Sequence, residues 1–131
     1  MSLGASLKIS ASGMAAQKLR LDVIAANLAN VDTPGYRRKQ IEFAEQLTGA
    51  VLKLPFARGG SSPLGGVSVT SITEDTAPLR IIAETGAQGS NVEIVTEMVD
   101  MMAAVRSYEA NLSAFNAARD MIRRSLDIGK A

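Results

Sequence analysis

Apolar side chains return along the first part of the chain in alternating steps of four and three, through Leu3, Leu7, Met14, Leu21, Ile24, Leu28 and Val31, with polar Ser10 and Gln17 interrupting. That is the roughly 3.5-residue period of a helix lying along a partner helix. The far side carries Ala5, Ile9, Ala16, Leu19, Val23 and Ala26. A helix apolar nearly all round is expected to be buried on several sides.

The last part of the chain repeats the pattern through Ile94, Met98, Met101, Val105, Tyr108, Leu112, Phe115, Ile122 and Leu126, with Arg119 alone breaking the seam. Ala103, Ala110 and Ala117 form a strip of small residues on its far face. Acidic Glu93, Glu97 and Asp100 open this helix and Arg119, Arg123, Arg124 and Lys130 close it, the polarity that the helix dipole favours. Ser90 or Asn91 is the expected N-cap and Gly129 the expected C-cap. Met98 and Met101 read as core, whereas Met102 and Met121 are expected to face neighbouring subunits.

Between the helices the composition shifts. Gly59, Gly60, Ser61, Ser62, Pro63, Gly65 and Gly66 predict a flexible loop. Val67, Val69 and Ser71 alternate as a short strand, Glu74 to Pro78 reads as a turn, and Leu79 to Ala83 as a second strand. Gly86, Gly89 and Ser90 then predict a linker. The expected fold is mainly α with a small β element: long N- and C-terminal helices paired as a coiled coil, and a short β-rich middle segment.

The first helix ends in ANLANVDTPGYRRKQ, residues 26–40. Pro34 presets φ near −65° and Gly35 supplies a positive φ, so a type II turn with these residues at its centre is expected. The amides of Asn27 and Asn30 are placed to bond last-turn carbonyls or to cap the helix. Arg37, Arg38 and Lys39 follow.

Composition narrows the chemistry. The 131 residues carry a net charge of +1, with no Cys and no His. Disulfides and thiolate zinc sites are thereby excluded, as are histidine bases. The small charge provides no field to attract nucleic acid, and no aromatic cluster for base stacking accompanies the basic run. A solvated or subunit-bridging strip is the expectation for Arg37 to Lys39. Glu74 and Asp75 read as a turn-exposed pair rather than as a catalytic acid and base, and no base accompanies Ser10 or Ser12 to activate a hydroxyl. No cofactor or metal is expected. The N-terminus lacks the pattern of a cleaved secretory signal, and no window is apolar enough to span a membrane.

Ala26, Asn27, Ala29, Asn30, Thr33, Gly35 and Tyr36 resemble the signature of the flagellar rod, hook and hook-associated proteins, with Leu28 where many members carry a third Asn. The C-terminal segment resembles the short proximal-rod branch of that family. Glu97, Met98, Val99, Asp100, Met101, Tyr108, Glu109, Ala110 and Asn111 carry the match, together with Asn116, Ala117, Leu126, Ile128 and Gly129.

The resemblance implies a structural subunit of the bacterial basal-body rod that assembles through its terminal helices, transmits torque and surrounds an export channel. Its organisation would be residues 1–35 and 91–131 as an inner coiled-coil domain, with 36–90 as a small outer domain. Its partners would be copies of itself, other rod proteins, the flagellar type III export apparatus and the membrane-anchored base of the rod. It would lie in the rod across the periplasm and be exported without signal cleavage.

In this reading Asn27, Asn30, Thr33, Pro34, Gly35 and Tyr36 form an assembly corner. Leu7, Met14, Leu21, Ile24, Leu28, Met98, Met101, Val105, Tyr108, Leu112, Phe115 and Ile122 form the helix-packing interface. Arg37, Arg38, Glu109, Asn111 and Arg119 are candidates for polar contacts between subunits. Helices with apolar surface on more than one side are further expected to be mobile in the monomer and to order on assembly. A coiled-coil adaptor recognising one partner helix would share the seams but would not need the corner.

Overall fold

The computed structural model describes residues 3–46 and 65–129. The elements run α1 (Leu3–Ala29), β1 (Lys39–Gln46), β2 (Gly66–Glu74) and α2 (Ile94–Ile128). Both terminal helices form where the periodicity places them. The predicted loop at residues 59–63 lies outside the described residues, as does Lys130, while Gly66 already begins β2.

The helices pack side by side and antiparallel. Asn27 of α1 lies against Glu97 of α2, and Gly13, fourteen residues earlier in α1, lies against Asn111, fourteen residues later in α2. Gly13 permits that close approach, since a Cβ there would stand 2.8 Å from the Asn111 side-chain nitrogen. At the same register Leu3 lies level with Met121. The end of α2 therefore runs on past the start of α1.

The seam within the chain differs from the expected one on α2. Glu97, Met101, Ala104, Tyr108, Asn111, Phe115, Ala118 and Ile122 lie buried or half-buried along it, and Thr96 and Asp100 are half-buried near its start. Met101, Tyr108, Phe115 and Ile122 therefore pack as expected. Met98, Val105 and Leu112 stand exposed instead, and Arg119 is exposed beside Asp120. Small Ala104 and Ala118 let α1 approach, so the partner helix draws the small row of α2 inward and turns the bulkier row outward. On α1, Ile24 is buried and Leu7, Met14, Leu21 and Leu28 are half-buried.

The other side of α1 carries the sheet. β1 and β2 pair antiparallel, with Ile41 opposite Ile72 and Phe43 opposite Val69, so that Thr70 is the extra residue of a bulge. The bulge changes the parity of β2. Ile72 shares a face with Val69 and Val67, while Ser71 moves to the opposite face, where its hydroxyl donates to Glu42 Oε2 at 3.1 Å. Arg20 of α1 covers the Phe43 ring at 4.5 Å from its centroid, and the Ser12 hydroxyl accepts the Val67 N–H at 3.2 Å.

Two middle-segment expectations are corrected. The partner of β2 is β1, not residues 79–83, because the alternation of Ile41 and Phe43 with Glu42 gives β1 an apolar face for α1. Residues 80–89 form a tight hairpin in which Ile81 bridges Gln88 and the Ile82 N–H donates to Ala87 O at 2.9 Å, with Gly86 at φ 64° near the tip. Gly89 and Ser90 are buried there, the Gly89 N–H donating to Arg80 O at 2.6 Å, so this stretch is pinned rather than a loose linker.

Candidate assembly corner

The turn after α1 forms as its residues dictate. Gly35 takes φ 74° and the Tyr36 N–H closes the turn onto Thr33 O at 3.2 Å. Asn30 finishes the helix from within, its Nδ2 donating to Ala26 O at 2.8 Å while its Oδ1 accepts the Thr33 hydroxyl at 3.2 Å. Thr33 and Pro34 are exposed, and Tyr36 is half-buried.

Asn27 does something different. Its side chain is 1% exposed and its amide is fully used. Oδ1 accepts the Lys39 N–H at 2.9 Å and the Tyr36 hydroxyl at 3.2 Å, while Nδ2 donates to Lys39 O at 2.9 Å and to Glu97 Oε2 at 3.1 Å. One side chain thus satisfies both backbone groups of Lys39 and reaches α2 as well. A buried amide with four partners is stabilising because none of its polar atoms pays an uncompensated desolvation cost.

Asn91 plays the matching part on the other side of the strand. Its Oδ1 accepts the Arg38 N–H at 2.6 Å, and its Nδ2 reaches Asp75 O and Ala77 O at 3.4 Å each. It does not cap α2, and neither does Ser90, whose hydroxyl accepts the Val92 N–H at 2.9 Å. Glu93 stands at the N-cap without a side-chain capping bond. At the other end Gly129 is the C-cap, in right-handed geometry at φ −73°.

Arg38 completes the corner. Its Nε donates to Glu97 Oε1 and its Nη2 to Asp100 Oδ2 at 2.9 Å. Glu97 is fully buried, so its charge requires this partner. Burial pulls the Arg38 guanidinium down, but the hydrogen bond and charge of Glu97, with Asp100 and Asp75, outweigh it and hold the group above its ordinary value. Burial likewise pushes the Tyr36 phenol above 10.0, aided by the negative charges of Glu97 and Glu74.

Arg38 was expected to serve contacts between subunits, and in the folded chain it is spent internally. Arg37 lies outside, its Nη1 near Asp75 O at 3.3 Å. Asn111 is half-buried against Gly13 of the same chain, whereas Glu109 is exposed. Sequence reasoning passed over Glu97, Asp100 and Asn91 as corner residues. The available signal was a carboxylate pair one helical turn into α2, read there as a dipole complement and as part of the family match, with no partner assigned to it.

A cleft of about 250 Å³ opens beside the corner, lined by Arg20, Ile24, Asn27, Arg38, Glu97 and Asp100. Arg38 bridges its two carboxylates, so the geometry is that of a clamp. Among the described residues no cluster of His, Cys, Asp and Glu could hold a metal ion. No described helix is long and apolar enough to cross a membrane.

The corner joins the two stretches that known proteins match. Residues 7–37 match the family described as flagella basal body rod protein, and residues 86–128 match the family described as flagellar basal body rod FlgEFG protein C-terminal. The class these two matches define is that of the flagellar basal-body rod proteins.

Full-length relatives narrow the class. The flagellar basal-body rod protein FlgC of Bacillus subtilis (strain 168) is 37% identical, over 95% of this chain and 97% of its own. FlgC of Borreliella burgdorferi is 36% identical over 98% of each, and FlgC of Salmonella typhimurium 36% identical over 93% of this chain and 94% of its own. The chain belongs to the FlgC family of flagellar basal-body rod proteins, and it is a structural subunit of that rod.

Proposed function

We propose that this chain builds the proximal part of the rod as a drive-shaft subunit, transmitting torque through packed helices and bounding the export channel. The observation that carries the reading is the surface of α2. One row faces α1, and a second row, including Val95, Met98, Met102 and Val105, is apolar and exposed. Monomeric proteins rarely leave such a stripe wet, and neighbouring helices in an assembly would cover it.

In this proposal residues 1–35 and 91–131 are the inner coiled-coil domain and 36–90 the outer one. The subunits meet copies of themselves, other rod proteins and the membrane-anchored base across the periplasm, and the flagellar type III export apparatus delivers them without signal cleavage. The role is structural rather than catalytic.

Deleting the gene from its bacterium tests this. The expected result is a non-motile cell whose isolated basal bodies lack a complete rod, with both restored by the intact gene. Normal motility in the deletion strain would reject the reading.

A further inference from the structure

The sequence has no cysteine, so methionine sulfur is the softest nucleophile that the chain offers. Met98, Met101 and Met102 lie close together on α2, and the helix sorts them onto different sides. Met101 is half-buried, in the seam toward α1 between Glu97 and Ala104. Met98 and Met102 stand four residues apart, one above the other on the same face, and are 50 and 66% exposed. At 3.6 residues per turn, Met102 points about 100° round the helix from Met101. Two neighbours in sequence thus have opposite surroundings: one sulfur is packed and the other meets solvent.

The rest of the exposed row sharpens the contrast. Val95 and Val105 flank the two methionines and are themselves exposed, so the row supplies apolar surface and no side-chain hydrogen-bond donor. Oxidation of a methionine turns a flexible apolar side chain into a polar sulfoxide. Whatever covers this row would then have to bury a strong acceptor that the row itself cannot satisfy, which costs rather than gains free energy.

We propose that Met98 and Met102 form an oxidation site, at which a peroxide converts the free chain to its sulfoxide, and that the site closes when a neighbour covers the row. The sulfur lone pair attacks one peroxide oxygen. The S–O bond forms as the O–O bond breaks, sulfur loses two electrons, and the second oxygen takes the proton of the transferred hydroxyl and leaves as water. The product is reversible by methionine sulfoxide reductases, so the modification is a switch as well as a lesion. Only the closing of the site rests on the rod reading; the order in which the sulfurs react follows from the fold of the single chain.

Hydrogen peroxide added to the purified full-length chain tests the first half, with tandem mass spectrometry following the gain of one oxygen at each methionine. Met98 and Met102 are expected to react roughly fivefold or more faster than Met101. Urea should abolish the difference, because unfolding gives all three the same surroundings. Equal rates for Met101 and Met102 in the folded chain would overturn the proposal.

Isolated basal bodies given the same peroxide test the second half. Met98 and Met102 are expected to slow there to about the rate of Met101, and unchanged rates would reject the closing of the site while leaving the rod reading in place. Met98→Gln/Met102→Gln, uncharged and polar like the sulfoxide, is expected to be made with α2 intact and to be missing from basal bodies; its full incorporation would contradict the switch. If the unsubstituted chain is itself absent from basal bodies, the rod reading falls, and the order of reaction in the free chain still decides the oxidation site.

Discussion

The Asn27 side chain holds Lys39 by both its backbone groups, at 2.9 Å each, as a neighbouring strand would. Because the same amide also reaches Tyr36 and Glu97, the helix, the turn, the first strand and the second helix meet at one side chain. Asn27→Ala leaves buried donors and acceptors on all three partners unsatisfied, and a loss of about 2–4 kcal/mol is expected. Asn27→Asp should cost more, since it removes both donors and sets a carboxylate beside Glu97. Urea unfolding of the monomer, followed by circular dichroism, checks the order.

Arg38 and Glu97 form a pair in which the Glu97 side chain is 1% exposed. Removing one partner strands a buried charge, so Arg38→Met is expected to cost about 3–5 kcal/mol. Replacing both, as in Arg38→Met/Glu97→Leu, should recover much of it. Arg38→Lys should not, because a point charge cannot fork to Glu97 and Asp100 together. Denaturation midpoints of the single and double variants measure the coupling directly.

Alkaline pH should loosen the corner through Tyr36. Its phenol titrates above the ordinary value when folded, so its contribution is fully present below about pH 10 and is lost as pH rises through the folded value. Arg38, also raised, acts in the same direction at higher pH. The chain has two tyrosines, so tyrosinate absorbance in a Tyr108→Phe background reads Tyr36 alone. The expected curve lies above that of the urea-unfolded protein; coincidence of the two would contradict the hydroxyl's burial against Asn27.

Gly13 and Gly35 should respond differently to substitution. Gly35 sits at φ 74°, where an L side chain costs about 1–2 kcal/mol, so Gly35→Ala is expected to lower stability by that amount. At Gly13 a methyl meets the amide end of Asn111, which can swing aside, and Gly13→Ala should be nearly neutral. Gly13→Leu forces the helices apart. Thermal melts of the three variants separate backbone strain from crowding.

The outward row of α2 should matter to assembly and little to the monomer. Met102 is 66% exposed, so Met102→Glu is expected to change monomer stability by less than about 0.5 kcal/mol. Motility should nevertheless be lost, with the variant still made and missing from the rod. A motile Met102→Glu strain would argue against the docking of helices on this face.

The sequence made the helices and the Pro34–Gly35 turn readable because both are local: one repeats every few residues, the other is settled by two side chains. The α2 seam was half readable. A search for large apolar residues finds Met98, Val105 and Leu112, whereas the side that meets α1 within the chain is built from Glu97, Ala104, Asn111 and Ala118, chosen for closeness and polarity. β1 was missed because its partner lies across the residues that separate it from β2, and the bulge at Thr70 breaks the simple alternation. The Asn27–Glu97 contact could not be read at all, since nothing near either residue announces a partner so far along the chain.

That separation has a temporal consequence. Asn27 and Glu97 stand 70 residues apart and Arg38 and Glu97 59 apart, so each bond closes a long loop. Such contacts are entropically slow to form and arrive after local structure. If the chain reaches its destination N-terminus first, α1 and the turn can take shape early, yet the clasp that fixes their angle must wait for the other end. The corner is then a record of arrival: it snaps shut only when the second helix has been delivered, so a truncated or stalled subunit would present an unfastened elbow that its neighbours have no reason to accept.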